Sequence, residues 1–146
     1  MLKIFSLIFL MLVSGCVSSH ERLSFYKLIV SPGNYEGKDI YLTGYFVNDG
    51  TECLVISNNK ETSLMYREYE MVKLCKNNLA DIKDFDLFRK LVNKYGAVAG
   101  NFSSKRCGDS MKVGSSLNYL GCLTRIDVLH GPIHENGSAM PPPPVS

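Results

Sequence analysis

Ile4 to Val13 is an apolar run broken only by Ser6, well short of the roughly 20 apolar residues a membrane-crossing helix needs. A short polar stretch, Val17 to Arg22, follows it. Ser24 then stands where a helix cap belongs, ahead of Phe25 to Val30, with Leu23, Tyr26 and Val30 on one side and Pro32 and Gly33 as a stop. From Asp39 to Val47 the period falls to two. Ile40, Leu42, Gly44 and Phe46 alternate with Tyr41, Thr43, Tyr45 and Val47, as in a strand with two unlike faces. Gly44 has no side chain to pack, so its place in mid-strand predicts a bulge, a bend or a close backbone approach.

Asn48-Asp49-Gly50 is a turn, Glu52 to Ser57 a second strand, Ser57 to Lys60 another turn and Thr62 to Tyr69 a third strand. Met71 to Cys75 either extends that strand or opens a loop. Asp81 or Asp84 caps a helix expected to run to about Tyr95, with Ile82, Phe85, Phe88, Leu91, Val92 and Tyr95 on one face and Gly96 as its end. Ala97 to Phe102, again with a central glycine at Gly100, is a fourth strand. Ser103 to Ser116 is a polar loop and Tyr119 to Leu129 a fifth strand. From Gly131 on, through the run Pro141 to Pro144, the chain lacks the apolar content to pack and reads as a disordered or polyproline tail.

Three strands, a helix and two strands, with glycine in the first and fourth strands, is an order that resembles the OB-fold. The stretch Pro32 to Phe46, read as P-x-x-Y-x-G-K-x-I-x-L-x-G-Y-F, is similar to the opening of OB-like domains in small exported bacterial proteins. The resemblance implies a mainly β chain with helices (α+β), built as a five-stranded barrel with a helix between strands three and four. Another small β-barrel, such as a lipocalin-like one, is the alternative. The likeness rests on turn and strand chemistry, so it bears on fold and leaves function open.

Lys3, the apolar run and the small pair Ser14-Gly15 form an export signal. Val13-Ser14-Gly15-Cys16 resembles the lipobox of bacterial lipoproteins, and that family implies cleavage before Cys16 and acyl chains on its thiol and amine. Two or more chains hold a protein stably in a bilayer. An ordinary secretory signal ending near a cysteine is the other reading. Val17 occupies the position where an Asp tends to retain Gram-negative lipoproteins in the inner membrane, so the resemblance implies an outer-membrane protein facing the periplasm. The expected organisation is a signal peptide over 1–15, a lipidated tether over 16–22, an OB-like domain over 23–130 and the tail over 131–146.

Removal of the signal leaves about 130 residues, enough for one domain. The whole chain has 16 basic and 14 acidic side chains, a balance that argues against a nucleic-acid binder, which carries a basic face. Five cysteines is an odd count, and lipidation of Cys16 accounts for the extra one. Cys53, Cys75, Cys107 and Cys122 then read as two disulfides in an oxidising compartment, with three connectivities open. The OB-like strand order pairs Cys53 with Cys75 and Cys107 with Cys122. A crossed pairing such as Cys53 with Cys122 stays as an alternative. None of these cysteines forms the close pair a zinc site requires.

Ser24-Phe25-Tyr26-Lys27 and Ser57-Asn58-Asn59-Lys60 match S-x-x-K, but neither S-D-N nor K-T-G accompanies them. His130 and His134 have the helical spacing of metal ligands, and Gly131 and Pro132 between them break that helix. Neither a metal nor a cofactor is expected, and no catalytic set is evident. Tyr41, Tyr45, Tyr66 and Tyr69 are the candidate binding face, since OB-folds stack nucleic acid or sugar on exposed aromatics. Cross-strand aromatic packing explains the same residues without a ligand. Lys105, Arg106 and Lys112 read as a solvated basic loop, and Asn101 and Asn136 match a glycosylation pattern without use in a bacterial protein. The expected function is a lipid-anchored, non-catalytic binding or interaction module with an envelope partner. An inhibitor or immunity-type lipoprotein and an OB-type oligonucleotide or oligosaccharide binder are the alternatives.

Overall fold

A computed structural model describes residues 19–65, 67–81, 84–105 and 119–134. Its elements in chain order are β1 (Glu21–Arg22), α1 (Phe25–Val30), β2 (Asp39–Asn48), β3 (Cys53–Ser57), α2 (Lys60–Leu64), β4 (Val72–Cys75), α3 (Phe85–Lys90), β5 (Lys94–Ser103) and β6 (Gly121–Ile133), with 3-10 turns at Pro32–Tyr35, Glu68–Glu70 and Lys76–Asn78.

The strands follow the order β1-β2-β3-β4-β6-β5, and β5 pairs back onto β2. Strands β2 to β6 therefore close a five-stranded mixed barrel, with β4 and β6 parallel and the other neighbours antiparallel. This is the OB-like architecture expected from the strand order, with α3 between the third and fourth barrel strands. Ile40, Leu42 and Phe46 of β2 point inward as the alternation requires and meet Val98, Phe102, Leu123 and Ile126 in the core. Phe25 and Leu28 of α1 join that core, with Phe25 against Gly44, and so do Phe88 and Leu91, with Leu91 and Phe46 both against Gly96.

Glycines mark where the barrel bends. A Cβ on Gly44 would lie 2.1 Å from the Ser57 carbonyl oxygen, and one on Gly100 would lie 2.0 Å from that of Arg125. Both strands carry glycine because another backbone passes where a side chain would stand, the close approach predicted for Gly44.

Several boundaries differ from the pattern-based expectation. Thr62 to Tyr69 is not a strand. The Asn59 side chain accepts the Thr62 N–H at 2.8 Å and the Ser63 hydroxyl donates to the Lys60 carbonyl at 2.7 Å, so local capping folds α2 there. The third barrel strand is Val72–Cys75 instead. Helix α3 stops at Lys90, because Asn93 adopts a left-handed φ of 59° and gives its N–H to the Phe46 carbonyl at 2.8 Å. Tyr95 and Gly96, expected on and after that helix, belong to β5. The last strand runs on to Ile133, which is buried opposite Tyr95, so Gly131 to Ile133 belong to β6 and not to the expected tail. Part of the expected tether is also ordered: Glu21 and Arg22 pair in parallel with Ile40 and Tyr41.

Cys53 and Cys75 face each other across β3 and β4 and are joined by a disulfide. Cys122 is also disulfide-bonded. Its expected partner Cys107 lies outside the described residues, as do the lipidation position Cys16 and Tyr66.

Candidate functional site

The edge of β2 changes partner along its length. Leu23 N donates to the Tyr41 carbonyl at 2.9 Å and ends the β1 pairing, while β3 joins that edge only at Tyr45, opposite Ser57. Between the two, Thr43 and Gly44 border a cleft of about 450 Å³, within the roughly 300–1,000 Å³ typical of small-ligand sites. Arg22, Ser24, Tyr41, Asn58, Tyr95, His130 and Ile133 are among the residues that line it. The position follows from topology: between the β1 pairing, which ends at Tyr41, and the β3 pairing, which starts at Tyr45, that edge of β2 has no strand partner, and Leu23 to Phe25 lie against the gap.

The side chains around it have distinct chemistry. The Arg22 guanidinium lies 5.4 Å from the centre of the Tyr41 ring, a cation–π arrangement that leaves both groups at the surface. Tyr95 packs edge-on against Tyr45 with ring centres 5.1 Å apart, and its hydroxyl oxygen accepts the Lys60 N–H at 3.4 Å. His130 is exposed on β6 opposite Ala97. Aromatic surface, a guanidinium, an imidazole, a hydroxyl and an amide thus meet in one concavity. Such a lining holds a ligand by stacking and directed hydrogen bonds. Two smaller depressions, of about 200 and 280 Å³, flank the Cys53–Cys75 bridge.

Of the candidate tyrosines, Tyr41, Tyr45 and Tyr69 lie among the described residues and do not share one surface. Tyr41 and Tyr45 share the outer face of β2, but only Tyr41 lines the cleft; Tyr45 is buried beneath Tyr95 in the cross-strand packing considered as the alternative. Tyr69 sits on the Glu68–Glu70 turn and is exposed away from the cleft lining. Arg22, Tyr95 and His130 were missed. The helical period places Tyr95 on a helix face, Arg22 falls in the expected tether, and His130, at the end of the expected domain, is considered only with His134 as a metal pair. The aromatic and basic residue types were visible, yet only the register of β5 and β6 brings them together.

The serines of the two S-x-x-K matches have structural work. Ser24 Oγ accepts the Lys27 N–H at 3.4 Å as the α1 cap, and Ser57 Oγ donates to the Asn59 and Tyr45 carbonyls at 2.8 and 3.4 Å. His134 is exposed just past β6, and among the described residues no three His, Cys, Asp or Glu side chains group as metal ligands.

Three polar clusters surround the barrel. Asp127 takes both Arg125 Nε and a terminal nitrogen, at 2.6 and 3.0 Å, and lies 3.0 Å from His20 Nε2. The Arg125 hydrogen bond, aided by His20 and opposed by desolvation, holds the Asp127 carboxyl below its ordinary range. Arg125 also reaches Asp39, whose carboxylate accepts from Asn101 at 2.9 Å. This network pins the start of the described chain to the barrel wall. Glu36 accepts the Ser103 hydroxyl at 2.7 Å and the Ser104 N–H and hydroxyl at 2.7 and 2.8 Å, which pulls its carboxyl down to about 2. Lys73 and Asp49 form a buried ion pair at 2.9 Å.

No protein-family model matches this chain, and no curated protein matches it. Among solved structures it is similar to "OBody AM3L15 bound to hen egg-white lysozyme", at 11% identity and a TM-score of 0.47, over 78% of this chain and 95% of that one.

Proposed function

We propose that this protein is a lipid-anchored component of a bacterial envelope that acts as a non-catalytic binding module, taking a protein segment or small ligand in the cleft lined by Arg22, Tyr41, Tyr95 and His130. The cleft carries the proposal: it combines ring faces with hydrogen-bonding groups of both kinds, and its volume suits a ligand group rather than solvent alone. The engagement of Ser24 and Ser57 in capping and turn contacts supports binding over acyl transfer. The anchor rests on the Val13-Ser14-Gly15-Cys16 junction, and the outer-membrane placement on Val17.

Tyr41→Ala and Arg22→Ala remove cleft surface without touching the core. Partners cross-linked to the wild-type protein in envelope extracts should be lost from both variants, while circular dichroism stays unchanged. Equal capture by wild type and both variants would place binding elsewhere and overturn the cleft assignment. Intact-mass analysis of the membrane fraction tests the anchor separately: the mature protein should begin at Cys16 and carry acyl mass.

A further inference from the structure

Among the described residues, five of the six most exposed large apolar side chains come from one stretch of the fold. Tyr26 and Val30, one helical turn apart on α1, are 78% and 64% exposed; Leu64 and Met65 at the end of α2 are each 64% exposed; Tyr69 on the Glu68–Glu70 turn is 60% exposed. The Glu68–Glu70 turn packs against α1, and α2 leads directly into that turn. Concentrations of exposed apolar side chains on a small domain mark contact with a membrane or a partner. The charged residues of the same segments are mixed in sign, with Lys27, Lys60 and Arg67 against Glu61 and Glu70, and Arg67 and Glu70 lie 3.6 Å apart. A charge set balanced in this way suits apolar insertion into an electrically neutral surface and offers no single sign of charge to a charged partner.

Chain length decides between occupants. His20 is held by Asp127, and only three residues separate it from Cys16. At roughly 3.3–3.6 Å per residue, a lipid on Cys16 lies within ~14 Å of that pinned point. Tyr26 is six residues further along, so by the same measure α1 begins within roughly 20 Å of it. An anchored barrel is thus held close to the bilayer with α1 within reach. Tyrosines and aliphatic side chains flanked by long basic ones are the residue types that settle at the headgroup level.

We propose that the face made by α1, the end of α2 and the Glu68–Glu70 turn rests on the lipid surface, inserting Tyr26, Val30, Leu64, Met65 and Tyr69. The inference depends on the lipid anchor proposed above and adds a fixed orientation to it.

The chain has no tryptophan, so Tyr26→Trp, Tyr69→Trp and, on α3 near the other barrel end, Lys90→Trp each provide a single reporter. The full-length lipidated variants are reconstituted in phosphatidylcholine vesicles containing lipids brominated high on the acyl chain. With the apolar face some 5–10 Å into the boundary region, quenching at positions 26 and 69 should exceed that at 90 by roughly two-fold or more. Val30→Asp with Met65→Asp should abolish quenching at 69 while the protein still floats with the vesicles. Flotation with equal quenching at all three positions, or none, would overturn the docking face and leave the anchor standing. A chain that carries no acyl mass and does not float would overturn both.

Discussion

The buried Lys73–Asp49 pair shows how single residues are committed in this fold. Lys73 lies on β4 between Val55 and Cys122, and its ammonium meets Asp49 at 2.9 Å and the Tyr119 ring at 5.4 Å. The other Asp49 oxygen accepts the Thr51 N–H at 3.0 Å, so the carboxylate fixes the β2–β3 turn as well. Removing one member strands a buried charge, a loss of roughly 3–5 kcal/mol. Lys73→Met should therefore lower the urea midpoint sharply, and adding Asp49→Asn should recover much of the loss. Equal midpoints for the single and double variants would show that the two groups act independently. Glu36 makes the pH-dependent counterpart. Its carboxyl falls from 4.5 to about 2 in the folded protein through the Ser103 and Ser104 hydrogen bonds. A folded-state value below the unfolded one means that the folded state binds fewer protons in between. The contribution is present above pH 4.5 and is lost as pH falls toward 2. Glu36→Gln should lower the thermal midpoint near neutrality, where the contribution is present, and flatten the profile between pH 4.5 and 2, so that the two proteins converge at low pH.

At the scale of elements, strand crossings and the β3–β4 link carry the barrel. Gly100 faces the Arg125 carbonyl so closely that any Cβ requires backbone movement in β5 or β6. Overpacking typically costs about 1–3 kcal/mol. Gly100→Ala should fall at or beyond the top of that range, because the obstacle is backbone rather than a mobile side chain. Gly33, with nothing near a would-be Cβ, provides the control: Gly33→Ala should leave chemical denaturation nearly unchanged. The Cys53–Cys75 bridge spans a sequence separation of 22, and closing a loop of that length is worth ~3 kcal/mol in the chain-entropy account. Cys53→Ala with Cys75→Ala should lose about that much while keeping the same circular dichroism. A loss near zero would mean that strand pairing alone restricts the unfolded chain as strongly.

At the scale of the molecule, His20 to Arg22 belong to the barrel. β1 occupies the edge of β2 that β3 vacates, and the His20–Asp127–Arg125–Asp39 cluster holds it there. The same arrangement defines the cleft and sets how far α1 stands from the proposed lipid. Asp127→Ala should release this pin, raising amide exchange at Glu21 and Arg22 with little change in global stability, since partly exposed ion pairs contribute about 0–1 kcal/mol. Unchanged exchange would show that the β1–β2 pairing holds the segment unaided.

Local pattern was enough for much of this. The alternation of β2 settled which side chains enter the core, because successive side chains on a strand must point to opposite faces. The glycines at 44 and 100 announced close backbone contact, and the strand order with an intervening helix was sufficient for the OB-like barrel and the Cys53–Cys75 pairing. Three features had no local signature. Thr62 to Tyr69 carries residues compatible with strand or helix, and the Asn59 cap together with packing against β2 and β3 decided for helix over Lys60–Leu64. Tyr95 satisfied a helical period that continued past the real helix end, and a hydrogen bond from Asn93 to the distant Phe46 carbonyl ended it. Arg22, Tyr95 and His130 come from three segments far apart in the chain and become neighbours only through barrel closure. Residue type and period are properties of neighbouring positions, whereas a binding cleft is made by register between strands, and only the tertiary structure sets that register.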